Sequence, residues 1–140
     1  MRLLVLGPNG QLGGDVIDAA GDGSIEAIGA GRDAVDVTDR EALAAFLLET
    51  RFDALLNATS YHKTDEVESN ADRAMAVNAQ APALMAEICA EKGARFLHVS
   101  TDYVFGGDRA RTTPLVETDP TAPVNVYGLS KQFGETLIGL

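Results

Sequence analysis

A doubly wound α/β domain, with a parallel sheet covered on both faces, is the fold class that three features of the 140-residue sequence predict. Short aliphatic runs alternate with helical periodicities of ten or more residues. A glycine-rich turn follows the first aliphatic run directly. The remaining segments that carry reactive side chains all fall at carboxyl ends of predicted strands, where ligands sit on such sheets.

Arg2 to Leu6 is aliphatic, too short for a helix and ended by Gly7, so it reads as a buried strand. After the turn Gly7 to Gly13, Leu12, Val16, Ile17 and Ala20 recur at helical spacing from Gln11 to Ala20. Ser24 to Ala30 is a second, weaker strand, and Val35 to Val37 is a candidate third. Thr38 to Glu41 matches the capping-box pattern ahead of Leu43, Phe46, Leu47 and Thr50, which places a helix start near Asp39. Phe52 to Ala58 is the next strand, followed by a polar loop from Thr59 to Ser69. A long helix from about Ala71 to Lys92 puts Asn78 on its apolar face, and Pro82, four residues later, cannot donate to the Asn78 carbonyl, so a kink is expected there. Gly93 ends that helix and Arg95 to Ser100 is a strand. The loop from Gly106 to Pro123 is longer than the ~12 to 15 residues usual for structureless connections. A last helix begins near Val126 and runs on towards Leu140.

Apolar residues make up 46% of the chain and charged residues 23%, a globular composition with room for one core. The longest clean apolar stretch, Ala42 to Leu48, falls far short of the roughly 20 residues that span a bilayer. Leu3 to Leu6 is too short for the apolar region of a signal peptide, which points to the cytoplasm. Cys89 is the one cysteine, so no internal disulfide or cysteine-rich metal site is expected. A net charge of -10 opposes binding to nucleic acid or to anionic membranes. An anionic ligand must then be held by local dipoles and a few placed cations.

The turn G-P-N-G-Q-L-G has glycines three apart, between a strand and a helix start, which suits close approach of the backbone to the pyrophosphate of a dinucleotide. The second strand ends in Gly29, Ala30, Gly31, Arg32 rather than in the acidic residue that binds a ribose 2′-hydroxyl. Arg32 is either the partner of a 2′-phosphate, which favours NADP over NAD, or a solvated surface arginine. Asp36 and Val37 either lie along an adenine edge or form an ordinary turn. Tyr127 and Lys131 are four apart on the last helix and share a face. An ammonium beside a phenol favours the phenolate and makes Tyr127 a candidate general acid for a carbonyl oxygen. Thr101, at the carboxyl end of a strand, offers a hydroxyl for the same oxygen.

With these motifs in order, the chain resembles the extended short-chain dehydrogenase/reductase superfamily and, within it, the dTDP-4-dehydrorhamnose reductase family. The resemblance rests on G-P-N-G-Q-L-G, on N-A-T-S-Y-H-K-T-D-E-V-E from Asn57, on S-T-D-Y-V-F from Ser100 and on E-T-D-P-T-A-P-V-N-V-Y-G-L-S-K from Glu117. It implies a Rossmann fold and NADPH-dependent reduction, with NAD(H) as the alternative cofactor, of the C4 keto group of a nucleotide sugar, first dTDP-4-dehydrorhamnose. It implies a catalytic triad of Thr101, Tyr127 and Lys131, with Tyr127 protonating the sugar oxygen and Lys131 also holding the nicotinamide ribose. Cofactor contacts are expected from Gly7, Asn9, Gly10, Gln11 and Leu12, from Arg32, Asp36 and Val37, from Ala58, Thr59, Ser60 and Tyr61, and from Asn78 and Ser100. Substrate contacts are expected from His62, Thr64, Thr101, Tyr103 and Phe105. The Asn78 carbonyl, freed by Pro82, either binds a water on a proton path to Lys131 or belongs to a purely structural kink.

The chain departs from the family at His62 and Thr64, where threonine and valine are usual, which bears on the sugar. It also ends nine residues after Lys131, where family members continue into a substrate-binding part. The expectation is a cofactor-binding half whose open sheet edge and apolar helix faces favour association, including with a second copy. The alternatives are another nucleotide-sugar epimerase, dehydratase or reductase of the superfamily, or a non-catalytic NADP-binding regulatory subunit. Against the dehydratase, Tyr103 follows Asp102 where a glutamate would stand.

Overall fold

In the computed structural model, which describes residues 1–139, four parallel strands lie in the order β2-β1-β3-β4. They are β1 (Arg2–Leu6), β2 (Glu26–Ala30), β3 (Ala54–Asn57) and β4 (Arg95–His98). The helices are α1 (Gln11–Ala19), α2 (Arg40–Glu49), α3 (Thr64–Glu68), α4 (Ala71–Met75), α5 (Ala81–Lys92) and α6 (Val126–Ile138). A π-helical segment, Ala76–Gln80, joins α4 to α5 without interruption.

Alternation along β1 sends Leu4 and Leu6 to one face of the sheet and Leu3 and Val5 to the other, and all four are buried. A strand apolar on both sides must be covered on both sides. Leu43 and Leu47 of α2, with Leu84, Met85 and Ile88 of α5, cover the first face. Val16 and Ile17 of α1 pack on the second. β1 and β3 are neighbours, and the crossover from β1 leads to β2 on one side while the crossover from β3 leads to β4 on the other. That reversal opens a crevice above the carboxyl ends of β1 and β3. β4 is an edge strand, with Leu97 and the following Val99 exposed, as are Leu129, Phe133 and Leu137 of α6.

The doubly wound expectation holds, and several local expectations are corrected. Val35 to Val37 forms no strand, because the Ala34 and Val35 N–H groups turn back to the Gly31 carbonyl instead of meeting a neighbour. Val35 is buried by packing alone. The cap of α2 is Asp39, whose carboxylate accepts from the Ala42 N–H at 3.0 Å, while the Thr38 hydroxyl donates to Asp36. A carboxylate is the stronger acceptor for a helix start, so the cap falls one residue later than Thr38. The polar loop from Thr59 to Ser69 contains α3, anchored by the fully buried Val67.

The α-helical hydrogen-bond pattern is disturbed near Asn78 and Pro82, where the sequence predicts a kink, as the π-helical segment with Pro82 in the first turn of α5. The Asn78 carbonyl faces α6 at Gly134, where a methyl group would overlap it. The ends of the long loop are tied by an antiparallel bridge between Gly106 and Pro123, and Arg111 braces its interior against Asp119 at 2.7 Å. Leu140, the end of the predicted last helix, lies outside the described residues.

Candidate active site

Gly7 closes β1 at φ +88°, a left-handed conformation that side chains other than glycine's rarely adopt. A methyl at Gly13 would overlap the Gly7 carbonyl oxygen, so only glycine lets α1 begin against this turn. The N-cap of α1 is Gly10, which supplies no side-chain bond. The first N–H groups of α1 therefore stay available at the helix start, where the dipole favours an anion.

Over this turn lies a cavity of about 650 Å³. Gly7, Asn9 and Gly10 line it from the turn, Arg32, Asp36 and Val37 from the segment after β2, and Ala58, Thr59, Ser60 and His62 from the segment after β3. Hydrogen bonds from the Thr38 N–H and hydroxyl hold the Asp36 carboxyl below the ordinary carboxylate range, so it stays ionised at neutral pH. The wall also contains Arg73, which the sequence reading missed; its guanidinium stands 4.9 Å from the Tyr61 ring centroid. Two cations, Arg32 and Arg73, thus serve the cavity of a chain whose net charge is -10.

Gln11 and Leu12 are exposed at the start of α1 and do not line the cavity. Asn78 is fully buried behind it and its side chain is committed to protein. Its Oδ1 accepts from the Tyr61 N–H at 2.9 Å, and its Nδ2 donates to the Tyr61 carbonyl at 3.0 Å and to the Ser130 hydroxyl at 2.9 Å. Asn78 thereby clips the segment after β3 to α6.

The second constellation sits at the carboxyl end of β4. Gly128 lets α6 press against the Tyr103 carbonyl, where any Cβ would overlap, and the Tyr103 and Tyr127 rings meet edge to face with centroids 5.5 Å apart. Thr101 caps the 3₁₀ turn Asp102–Val104, accepting from the Tyr103 N–H at 3.3 Å. Phe105 follows that turn half-buried, Thr64 opens α3, and the Ser100 hydroxyl donates to Glu135. Lys131 is only 1% exposed; its Nζ donates to the Val99 carbonyl and lies 3.1 Å from Nε2 of His98. Burial pulls the Lys131 pKa down to about 8, although Glu135 on the same helix favours the charged form. Burial and then Lys131 pull His98 down to about 4. Lys131 thus lies beside His98, a residue that the sequence reading did not single out. The signal was a polar residue, Asn57 or His98, at the last position of two neighbouring strands.

Among the described residues, no group of three or more His, Cys, Asp or Glu side chains is placed to hold a metal ion. No described helix is long and apolar enough to cross a membrane.

A parallel sheet that reverses beside β1, a glycine turn against a helix start and a Tyr-x-x-x-Lys helix define an α/β domain of the Rossmann class. The family model of the RmlD substrate binding domain matches residues 1–139, and the chain belongs to this family. A dTDP-4-dehydrorhamnose reductase of Burkholderia thailandensis is 37% identical over 142 residues, covering 99% of this chain and 45% of that protein. The crystal structure of a dTDP-4-dehydrorhamnose reductase from Clostridium acetobutylicum aligns at TM-score 0.94 and 30% identity, over 99% of this chain and 49% of that one. A dTDP-4-dehydrorhamnose reductase from Bacillus anthracis, in complex with NADP, aligns at TM-score 0.91 and 30% identity with the same coverage. The chain spans about half the length of the relatives it matches.

Proposed function

We propose that this chain is the cofactor-binding half of an NADPH-dependent reductase acting on the C4 keto group of a nucleotide-linked 6-deoxysugar, with dTDP-4-dehydrorhamnose as the substrate its relatives favour. The observation that carries this reading is the shared location of two features. The glycine-turn cavity and the helix bearing Tyr127 and Lys131 both lie at the carboxyl end of one parallel sheet.

The cradle fits a dinucleotide: at Gly13 the space a side chain would fill is taken by the turn itself, and α1 starts there with no side-chain cap on its first N–H groups. The turn and the start of α1 hold the pyrophosphate, and Arg32 pairs with the 2′-phosphate, which favours NADPH over NADH. Asp36 and Val37 border the adenine, and Ala58, Thr59, Ser60 and Tyr61 line the path towards the nicotinamide. When bound, NADPH supplies the hydride. Tyr127 gives its phenolic proton to the C4 oxygen, Thr101 donates a hydrogen bond to that oxygen, and Lys131 holds the ribose and stabilises the phenolate left on Tyr127. Tyr103 and Phe105 face the sugar nucleotide. His62, on the cavity wall next to Ser60, tunes the sugar preference.

Oxidation of NADPH on addition of dTDP-4-dehydro-6-deoxy-L-mannose tests this. The expected result is turnover that Tyr127→Phe lowers by about 10²- to 10⁴-fold while NADPH affinity is kept. NADPH binding without turnover supports the cofactor half acting together with a substrate-binding part. Failure to bind NADPH or NADH removes the proposal.

A further inference from the structure

The hydrogen bonds around Lys131 fix its protonation state, because each link has only one consistent assignment. The Thr59 backbone N–H can only donate, and it lies 3.0 Å from Oδ1 of Asn57. The Asn57 amide is therefore oriented, with its Nδ2 donor facing Nδ1 of His98 at 3.1 Å. Nδ1 of His98 must accept, so a neutral His98 carries its proton on Nε2. That N–H points at Nζ of Lys131, 3.1 Å away. An ammonium has no lone pair to receive it, whereas a neutral amine accepts from His98 and still donates to the Val99 carbonyl.

We propose that Asn57 and His98 are positioning residues that dock Lys131 as a neutral amine, and that protonation of Lys131 breaks this docked arrangement. The inference rests on the reading of Lys131 as the lysine of the reductase site. Register supplies the link, since Asn57 and His98 are direct neighbours across β3 and β4. Burial supplies the stakes: Asn57 is fully buried and Lys131 1% exposed, so a donor left unmatched on either is cut off from water, although His98 and Thr59 are half-buried. Charging Lys131 in place forces two donors together, either at His98 and Asn57 or, if the amide turns over, at Asn57 and Thr59. The remaining charged group that bears on Lys131 is Glu135 of its own helix, which favours the ammonium. The π-helical segment and β3 bring Asn78 and Asn57, neither of them ionisable. The lowered pKa of Lys131, about 8, agrees with this balance and puts the changeover just above neutral pH. Thr59 also lines the cofactor cavity, so the relay runs from the cavity wall to Nζ.

Nitrogen NMR of the His98 ring in the cofactor-free chain reads the tautomer directly. At pH 9 the expected signal is the Nε2–H tautomer, with a step in the Nε2 shift as the pH falls through about 8 and Lys131 takes up its proton. In Asn57→Asp the new carboxylate accepts from Nδ1–H, so the tautomer switches and the step moves up by about one pH unit or more, a tenfold change in the neutral fraction. If that variant does not fold, the wild-type tautomer decides alone. An Nδ1–H tautomer at pH 9, or a Lys131 step at the pH of a free lysine with no response at His98, overturns the proposal. NADPH titration of the same sample reads the reductase assignment separately. A chain that binds NADPH yet shows Nδ1–H loses only the relay, and one that shows Nε2–H without binding NADPH keeps it.

Discussion

At the carboxyl end of β1 the site is made of backbone, with Gly7 and Gly10 lining the cavity and Gly13 letting α1 start against the turn. At the carboxyl end of β4 it is made of buried side chains, with Asn57, His98 and Lys131 arriving from three separate elements. The first region needs space, and a methyl at Gly13 destroys it. The second needs matched donors and acceptors, and its behaviour follows protons. A backbone cradle is insensitive to pH, while a buried amine and a buried imidazole make the other region respond to it.

The largest expected effect comes from filling the cradle. Gly13→Val drives a side chain into the Gly7 carbonyl and should cost about 3 kcal/mol or more while abolishing NADPH binding, as denaturant melts and calorimetry would record. Retained binding would mean that the turn is not the phosphate site.

Proton linkage gives the next effect, and its direction is fixed by which state holds more protons. Lys131 has its pKa near 8 when folded and near 10.5 when unfolded, so between these values the unfolded chain binds more protons. Stability should therefore rise with pH across that window, by an amount of order 3 kcal/mol. His98, near 4 when folded against 6.5 unfolded, makes stability fall as pH drops through 6.5 towards 4. Lys131→Met should flatten the upper window and narrow the lower one without removing it, since burial still holds His98 down, in urea melts taken from pH 4 to 11. A slope that survives in Lys131→Met would assign the upper window to another group.

The smallest effect concerns cofactor choice. Arg32→Ala should weaken NADPH roughly tenfold or more and leave NADH nearly unchanged, since only the 2′-phosphate loses a charge-assisted partner. An equal loss for both cofactors would place Arg32 away from that phosphate, with Arg73 as the remaining cation in the wall.

The contrast between the two regions also explains what could be read from the amino-acid order. The cradle is local: strand, glycine turn and helix follow within twenty residues, and Gly7 and Gly13 stand where the expected turn needs them. The Asn78 and Pro82 spacing was enough to place the disturbance in the helix, since both act on the same turn. Val35 and Val37 looked like a strand because burial at alternate positions imitates one, but no neighbouring strand takes up their backbone groups. Thr38 looked like a cap, yet Asp36 holds its hydroxyl and Asp39 takes its place. Lys131 was legible as a candidate site residue from its spacing to Tyr127. Its partner His98 was not, because their contact depends on how α6 is seated against the π-helical segment and the 3₁₀ turn after β4, which no short-range pattern encodes. Arg73 was missed for the same reason: it reaches the cavity only through the packing of α4.

The most direct test of the account is calorimetric titration of the chain with NADPH and, in parallel, with NADH. The account predicts that NADPH binds at one site, more tightly than NADH, with the preference lost in Arg32→Ala and all binding lost in Gly13→Val. Absence of binding by either cofactor, or NADPH binding that survives in Gly13→Val, would contradict it.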